Sequence, residues 1–168
     1  MIDPPDLVDV RLLEVPVAVR GRSMQHGEEL VREMTLVAQS EDLPGTALPQ
    51  RLVQLAKEVR STYGAFSVKA DEEFDAAVTR GDAVVDELVY HVPPTIGPFV
   101  RHLIEVLDEA DAYCRAGQHL LTLATPPDIA AYRHWVLREF ERQIAGEPPI
   151  PWPRFAAEAG SQSRPGSR

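Results

Sequence analysis

The chain has 168 residues, 44% of them hydrophobic, and a formal net charge of −9. That length suits one domain with a real core, and the charge argues against nucleic acid or an anionic membrane surface as a partner. Cys114 is the only cysteine, which excludes an internal disulfide and a cysteine metal site, and no apolar run approaches the roughly 18 residues of a membrane span.

Residues 1–9 are rich in Pro and Asp and read as a loose segment with no apolar signal core. The expected compartment is therefore the cytoplasm. Val10–Val19 is the first strand candidate, with Pro16 marking an edge or a break. Ser23 can cap a helix to about Ser40, with Leu30, Val31, Met34, Val37 and Ala38 on one face. Gly27 lies in that arc, where a small residue would permit a close helix crossing. A second helix opens at Pro49 and buries Leu52, Leu55, Ala56 and Val59, and Gly64 closes the turn after it. Ser67–Arg80 reads as a third helix, with Phe74, Ala77 and Val78 inward and Gly81 as its C-cap.

Val84–Val92 carries β-branched and aromatic residues and stops at Pro93–Pro94, so it reads as a strand pairing with Val10–Val19. Such a ribbon must lean on helices to be stable. Ile96–Ala116 is a strong helix whose inner face runs through Phe99, Val100, Leu103, Leu107, Ala110 and Cys114, with Gly117 as cap. The next helix begins at Thr125, which can cap it ahead of Pro126 and Pro127, and ends at Gly146. The two should lie antiparallel. The stretch PPIPWPRF is expected to run extended, and residues 158–168 have the composition of a disordered tail.

On the Thr125 helix, Ile129, Tyr132, Val136, Phe140 and Ile144 share a core face. Trp135 lies off that face, in a stripe with Arg138 and Arg142. Trp and Arg are favoured interface anchors, so Trp135, Arg138, Arg142 and the tail's Trp152 are candidate partner-binding residues. The plain alternative is that the Pro-rich tail folds over Trp135 and packs Trp152 beside it. Taking Ile129 as 0°, Arg133 falls at about 40°, inside the apolar arc. Asp111 falls at about 60° from Ile96 on its own helix. A lone buried charge is expensive, so the two are expected to pair, unless both snorkel to water at the margin.

From Lys69 to Asp111 there are eleven acids against Lys69, Arg80 and Arg101, a net charge of −8. This is either a solvated acidic face or a docking face for a basic partner. There is no glycine-rich phosphate loop, no G-x-S-x-G and no H-E-x-x-H. His102, Glu105 and Glu109 share an outer helix face and are the weak candidates for a metal, against the simpler reading of a hydrated surface. Cys114 reads as a small buried hydrophobe. No cofactor is implied. The excess of 15 Arg over 2 Lys, with no Asn, reads as the codon usage of a GC-rich genome.

The motifs EADAYCRAG (109–117), LLTLATPP (120–127), RHWVLREFERQIAGEPPIPWP (133–153) and VRLLEVPVAV with ELVREMTLVA resemble those of a family of largely uncharacterised actinobacterial proteins. That family is associated with partner-switching regulators: anti-sigma kinases, STAS-domain antagonists and PP2C-type phosphatases. The resemblance covers most of residues 10–155 and transfers no catalytic residue. It implies an accessory role in stress or sigma-factor signalling, exercised by binding, since the kinases' ATP loop and the phosphatases' metal motif are missing.

The expectation is a mostly α single domain over residues 10–157, a helical bundle of about five helices with a small two-stranded β element. Its expected function is a non-enzymatic protein-interaction module with an unidentified protein partner. The alternative is a small metal-dependent enzyme or ligand-binding bundle with its site beside the acidic helix 96–116.

Overall fold

In the computed structural model, residues 6–39, 47–116 and 125–162 are described. Strand β1 (Val8–Pro16) leads straight into helix α1 (Val17–Gln39). Helix α2 (Ala47–Glu58) continues as a π-helical turn over Val59–Tyr63 and a 3-10 turn over Gly64–Phe66. Then come α3 (Val68–Arg80), β2 (Val84–Val92), α4 (Gly97–Arg115), α5 (Pro127–Ile144) and α6 (Trp152–Gln162). The fold is mostly α with a small two-stranded sheet, as the sequence pattern implies. Among the described residues no helix is long and apolar enough to cross a membrane.

The ribbon forms as expected. β1 and β2 pair antiparallel, with Val10 opposite Tyr90 and Leu12 opposite Leu88. The strand stops at Pro16, three residues short of the expected Val19. The Val17 N–H donates to Ala83 at 3.0 Å, and α1 starts there, well before Ser23. Inward positions run Val10, Leu12, then Val15 on one strand, and Val92, Tyr90, Leu88, then Val85 on the other. Both strands lose their two-residue period at the same level. Glu14 takes a φ of 54°, which turns its side chain to solvent and lets Val15 face the core. A non-glycine residue in that conformation costs about 1–2 kcal/mol, offset here by burial of Val15.

The outer edge of β1 is closed by a side chain. Gln143 Oε1 accepts the Arg11 N–H at 2.8 Å, and Gln143 Nε2 donates to the Arg11 carbonyl at 2.8 Å. One amide thus substitutes for a strand partner and blunts the edge.

Two apolar clusters make the core. One joins the sheet to α3 and α5 through Leu12, Phe74, Leu88, Tyr132 and Trp135. The other joins α1, α2 and α4 through Leu30, Met34, Leu52, Leu55 and Val106. Helix α3 ends at Gly81, whose φ of 76° allows its N–H to reach the Ala77 and Val78 carbonyls. Val78 itself is 51% exposed, not inward as expected, because the buried stripe is Ala70, Phe74 and Ala77. Gly64 has an ordinary helical φ of −56° and closes nothing. Gly27 marks no close crossing, since a Cβ built there would meet nothing within 4 Å. The proposed cap at Gly117 lies outside the described residues.

Helices α4 and α5 are antiparallel neighbours: Asp111 meets Arg133 near one end, and Gly97 lies against Ile144 at the other. Gly146, at φ 87°, ends the chain's turn out of α5. The extended stretch then lasts only to Pro151. From Trp152 the chain is helical to Gln162, against the expectation of an extended PPIPWPRF and of a disordered tail from residue 158. Pro153 sits in the first turn, where no N–H is needed, and Phe-Ala-Ala-Glu-Ala continues with good helix formers. Residues 163–168 lie outside the described residues.

Candidate functional site

The expected binding stripe on α5 is not a continuous surface. Trp135 is 0% exposed. Its Nε1 donates to the Ile150 carbonyl at 2.8 Å, and the rings of Tyr132 and Trp152 each lie 5.6 Å away. Trp152 is half-buried and stacks on Phe155. Helix α5 has the sheet on one side and the returning chain on the other, so both of its faces are covered. This corrects the reading of Trp135 as an exposed anchor and matches the alternative of a tail folded over it.

Glu139, at 1% exposure, is buried beneath that strap. It accepts the Ile150 N–H at 2.9 Å, Gln143 Nε2 at 2.9 Å and Arg142 Nη1 at 3.0 Å. A carboxylate with three donors is satisfied, and Ile150 is held at both its N–H and its carbonyl. Arg142 also bonds Glu147 at 2.8 Å and the Pro148 carbonyl at 3.3 Å. Arg142 is thereby committed within the chain, and of the four expected anchors only Arg138 is exposed.

Asp111 and Arg133 do meet. Arg133 Nη2 donates to Asp111 Oδ2, with the two side chains 14% and 11% exposed for arginine and aspartate. The Thr125 hydroxyl donates to Asp111 Oδ1, and His26 Nε2 lies 3.0 Å from that hydroxyl oxygen. Thr125 therefore does not cap α5; its oxygen ties α1, α4 and α5 together. A hydroxyl between an imidazole and a carboxylate resembles a hydrolytic group. Here, however, the proton points at a carboxylate already engaged by a guanidinium, so no free base activates the oxygen. His134 Nε2, 3.0 Å from Asp108, adds a second link between α4 and α5.

The weak metal candidates are not gathered. His102 lies 3.7 Å from Glu105, both more than half exposed, while Glu109 turns away to Arg51. Among the described residues no group of three His, Cys, Asp or Glu side chains is placed to hold a metal ion. Cys114 is half-buried, and burial, then Asp111, push its thiol above the ordinary value. That favours the inert thiol.

A second polar cluster sits inside the first core. Arg20, buried, donates to Asp71 at 3.1 Å and lies 4.8 Å over the Phe74 ring. Burial pushes the Tyr90 and Tyr132 hydroxyls above the ordinary phenol value, with Arg20 pulling the other way. Among the described residues neither the Tyr132 hydroxyl nor Arg20 Nε makes a hydrogen bond of good geometry, although the Arg20 guanidinium acts on the Tyr132 hydroxyl at close range.

The structure also contains a cleft that the sequence did not suggest. It measures about 220 Å³ and lies between the π turn, the end of β2, α4 and α5. Tyr63, Phe66, Tyr90, Phe99, Leu103 and Phe140 are among its walls. The Tyr63 and Phe99 rings stand 4.9 Å apart, and Tyr90 meets Phe140 edge-on at 5.2 Å. The wall residues come from the π turn, the 3-10 turn after it, β2, α4 and α5, so no single stretch announces the site. The available signal was VRSTYGAF, an aromatic-bearing run that the chain folds as a π turn over VRSTY and a 3-10 turn over GAF. Single π turns recur at functional sites. Compared with known proteins, the chain matches no family model, no curated protein and no solved structure.

Proposed function

We propose that this chain is a binding module and not an enzyme, and that it takes an apolar group into the cleft beside α4. The observation that supports this reading is the cleft itself: an aromatic-walled space of about 220 Å³. A lined apolar pocket of roughly 150 Å³ stays dry and accepts benzene, whereas drug-sized ligands occupy about 300–1,000 Å³. The size therefore favours a single ring, a short alkyl segment or one large side chain, and disfavours a nucleotide. This is the ligand-binding alternative drawn from the sequence, placed beside helix 96–116 but on its apolar side, not its acidic one.

A second reading, the interaction module of a partner-switching system, draws on the acidic exterior. Glu72, Glu73, Asp75, Asp86, Glu105 and Asp108 are all exposed, which suits a basic partner. An apolar side chain of that partner could occupy the same cleft.

Calorimetric titration of the full chain with toluene tests the first reading. Saturable one-to-one binding with a negative heat-capacity change is expected, and Val136→Phe, which fills the cleft, should abolish it. Absence of saturable binding, or binding untouched by that substitution, would reject the cleft as the site.

A further inference from the structure

The cleft does not stand alone. A smaller cavity of about 160 Å³ lies between α1, α2, α4 and α5, and Leu103 walls both spaces. A third space, a groove of about 400 Å³ between α1 and the α2–π segment, shares Val31 and Ala56 with that cavity. The three spaces thus follow one seam beneath α2. The cleft and the cavity are mostly apolar, although Ser23 and the paired Arg133 also line the cavity. The outer groove carries more polar groups: Lys57, Arg60, Ser61 and Thr35 stand around it beside Val31, Val53 and Ala56. Lys57, Arg60 and Ser61 recur at helical spacing, so they present one polar edge to the groove. Thr35 already donates its proton to the Val31 carbonyl at 2.7 Å.

The chain carries a net −9, and most cations near carboxylates are paired with them: Arg11, Arg20, Arg22, Arg51, Arg80, Arg133, Arg142 and Arg154. Among the described residues Lys57, Arg60, Arg32, Lys69, Arg101, Arg115 and Arg138 stand in no ion pair, and of these Lys57 and Arg60 line the groove. Two such cations three residues apart, at the mouth of a mostly apolar seam, suit an anionic head with an apolar tail behind it.

Resting on the reading of the cleft as a binding site, the geometry points to a single-chain anionic amphiphile as the ligand. Its carboxylate or phosphate head lies against Lys57 and Arg60, with Ser61 as a further donor. Its chain passes Val31 and Ala56 into the inner cavity, and Leu103 moves aside to admit its end to the aromatic cleft. The inner cavity already offers open space at Gly27, where no side chain fills the wall. Carboxylate and phosphate share the head chemistry, and separate arms of the test distinguish them.

The experiment measures affinities of the full chain for alkyl carboxylates, alkyl phosphates and alcohols of matched length, below their micelle concentrations. Within each series the affinity should rise roughly fourfold per methylene until the seam is filled. At equal length one or both anionic heads should bind at least about tenfold tighter than the alcohol, a preference that weakens with added salt. Lys57→Gln with Arg60→Gln should erase that preference while leaving toluene binding unchanged. Ala56→Met should stop the gain with chain length early. Equal affinity for acid and alcohol, or a head preference that survives the double substitution, overturns the inference. Toluene binding without any chain-length gain also overturns it and leaves the cleft reading standing. Failure of toluene as well rejects that underlying reading.

Discussion

Asp111 and Arg133 each fall inside the apolar arc of their own helix, and the low-dielectric contact between α4 and α5 leaves each little choice but the other. The pair was legible from periodicity because a charge at a core angle demands a partner. Its further ligands were not: Thr125 and His26 arrive from other elements and complete the network around Asp111. Removing one partner strands the other, so Asp111→Ala should cost about 3–5 kcal/mol in urea unfolding, and Asp111→Leu with Arg133→Met far less. Strictly additive losses in that double-mutant cycle would contradict the coupling. The Arg20 cluster makes a pH prediction. Tyr90 and Tyr132 hold their protons more tightly in the fold than in the unfolded chain, where the phenol value is 10.0. Their contribution is thus complete below pH 10 and is lost as pH rises from there toward the folded values. Tyr90→Phe with Tyr132→Phe should flatten the fall of melting temperature above pH 10. An equally steep fall in the variant would assign the alkaline transition elsewhere.

Among elements, the ribbon was legible because both segments combine β-branched residues with a proline boundary, and α3 because Gly81 stands where a left-handed cap is required. Three features were hidden for identifiable reasons. The phase change at Glu14 is a backbone event that alternation alone reads as a strand continuing. Helix α6 begins with Trp-Pro-Arg, and its proline density suggested extended chain, although a proline in the first turn is harmless to a helix. Trp135 lies off the single apolar arc of α5 because that helix has a second covered face, supplied by a segment some fifteen residues downstream. Helix α1 offers the most direct test at this scale. Gly27 lies in its interior beside open space, so Gly27→Ala should stabilise the protein by roughly 1 kcal/mol through helix propensity and reduced unfolded-state entropy. Loss of stability would show that the glycine serves a close contact after all.

For the whole molecule, the mostly α fold with its small sheet carried over, while the expected exposure of Trp135 did not. A site assembled from a π turn, a strand end and two helices leaves no local signature, and its aromatic residues look like ordinary core when taken one stretch at a time. The acidic helix face, by contrast, was conspicuous in sequence and holds no gathered metal ligands among the described residues. Added zinc should therefore leave the melting temperature unchanged, where a true site would raise stability by about 2.7 kcal/mol at a hundredfold excess over Kd. Binding of an apolar group in the cleft is tested most directly by a methyl NMR shift map of the full chain with saturating toluene. The largest shifts are expected at Val92, Leu103, Val136 and Leu137, around the cleft. Shifts scattered over the exposed Met24, Leu36 and Val78, or no saturable shifts at all, would contradict it.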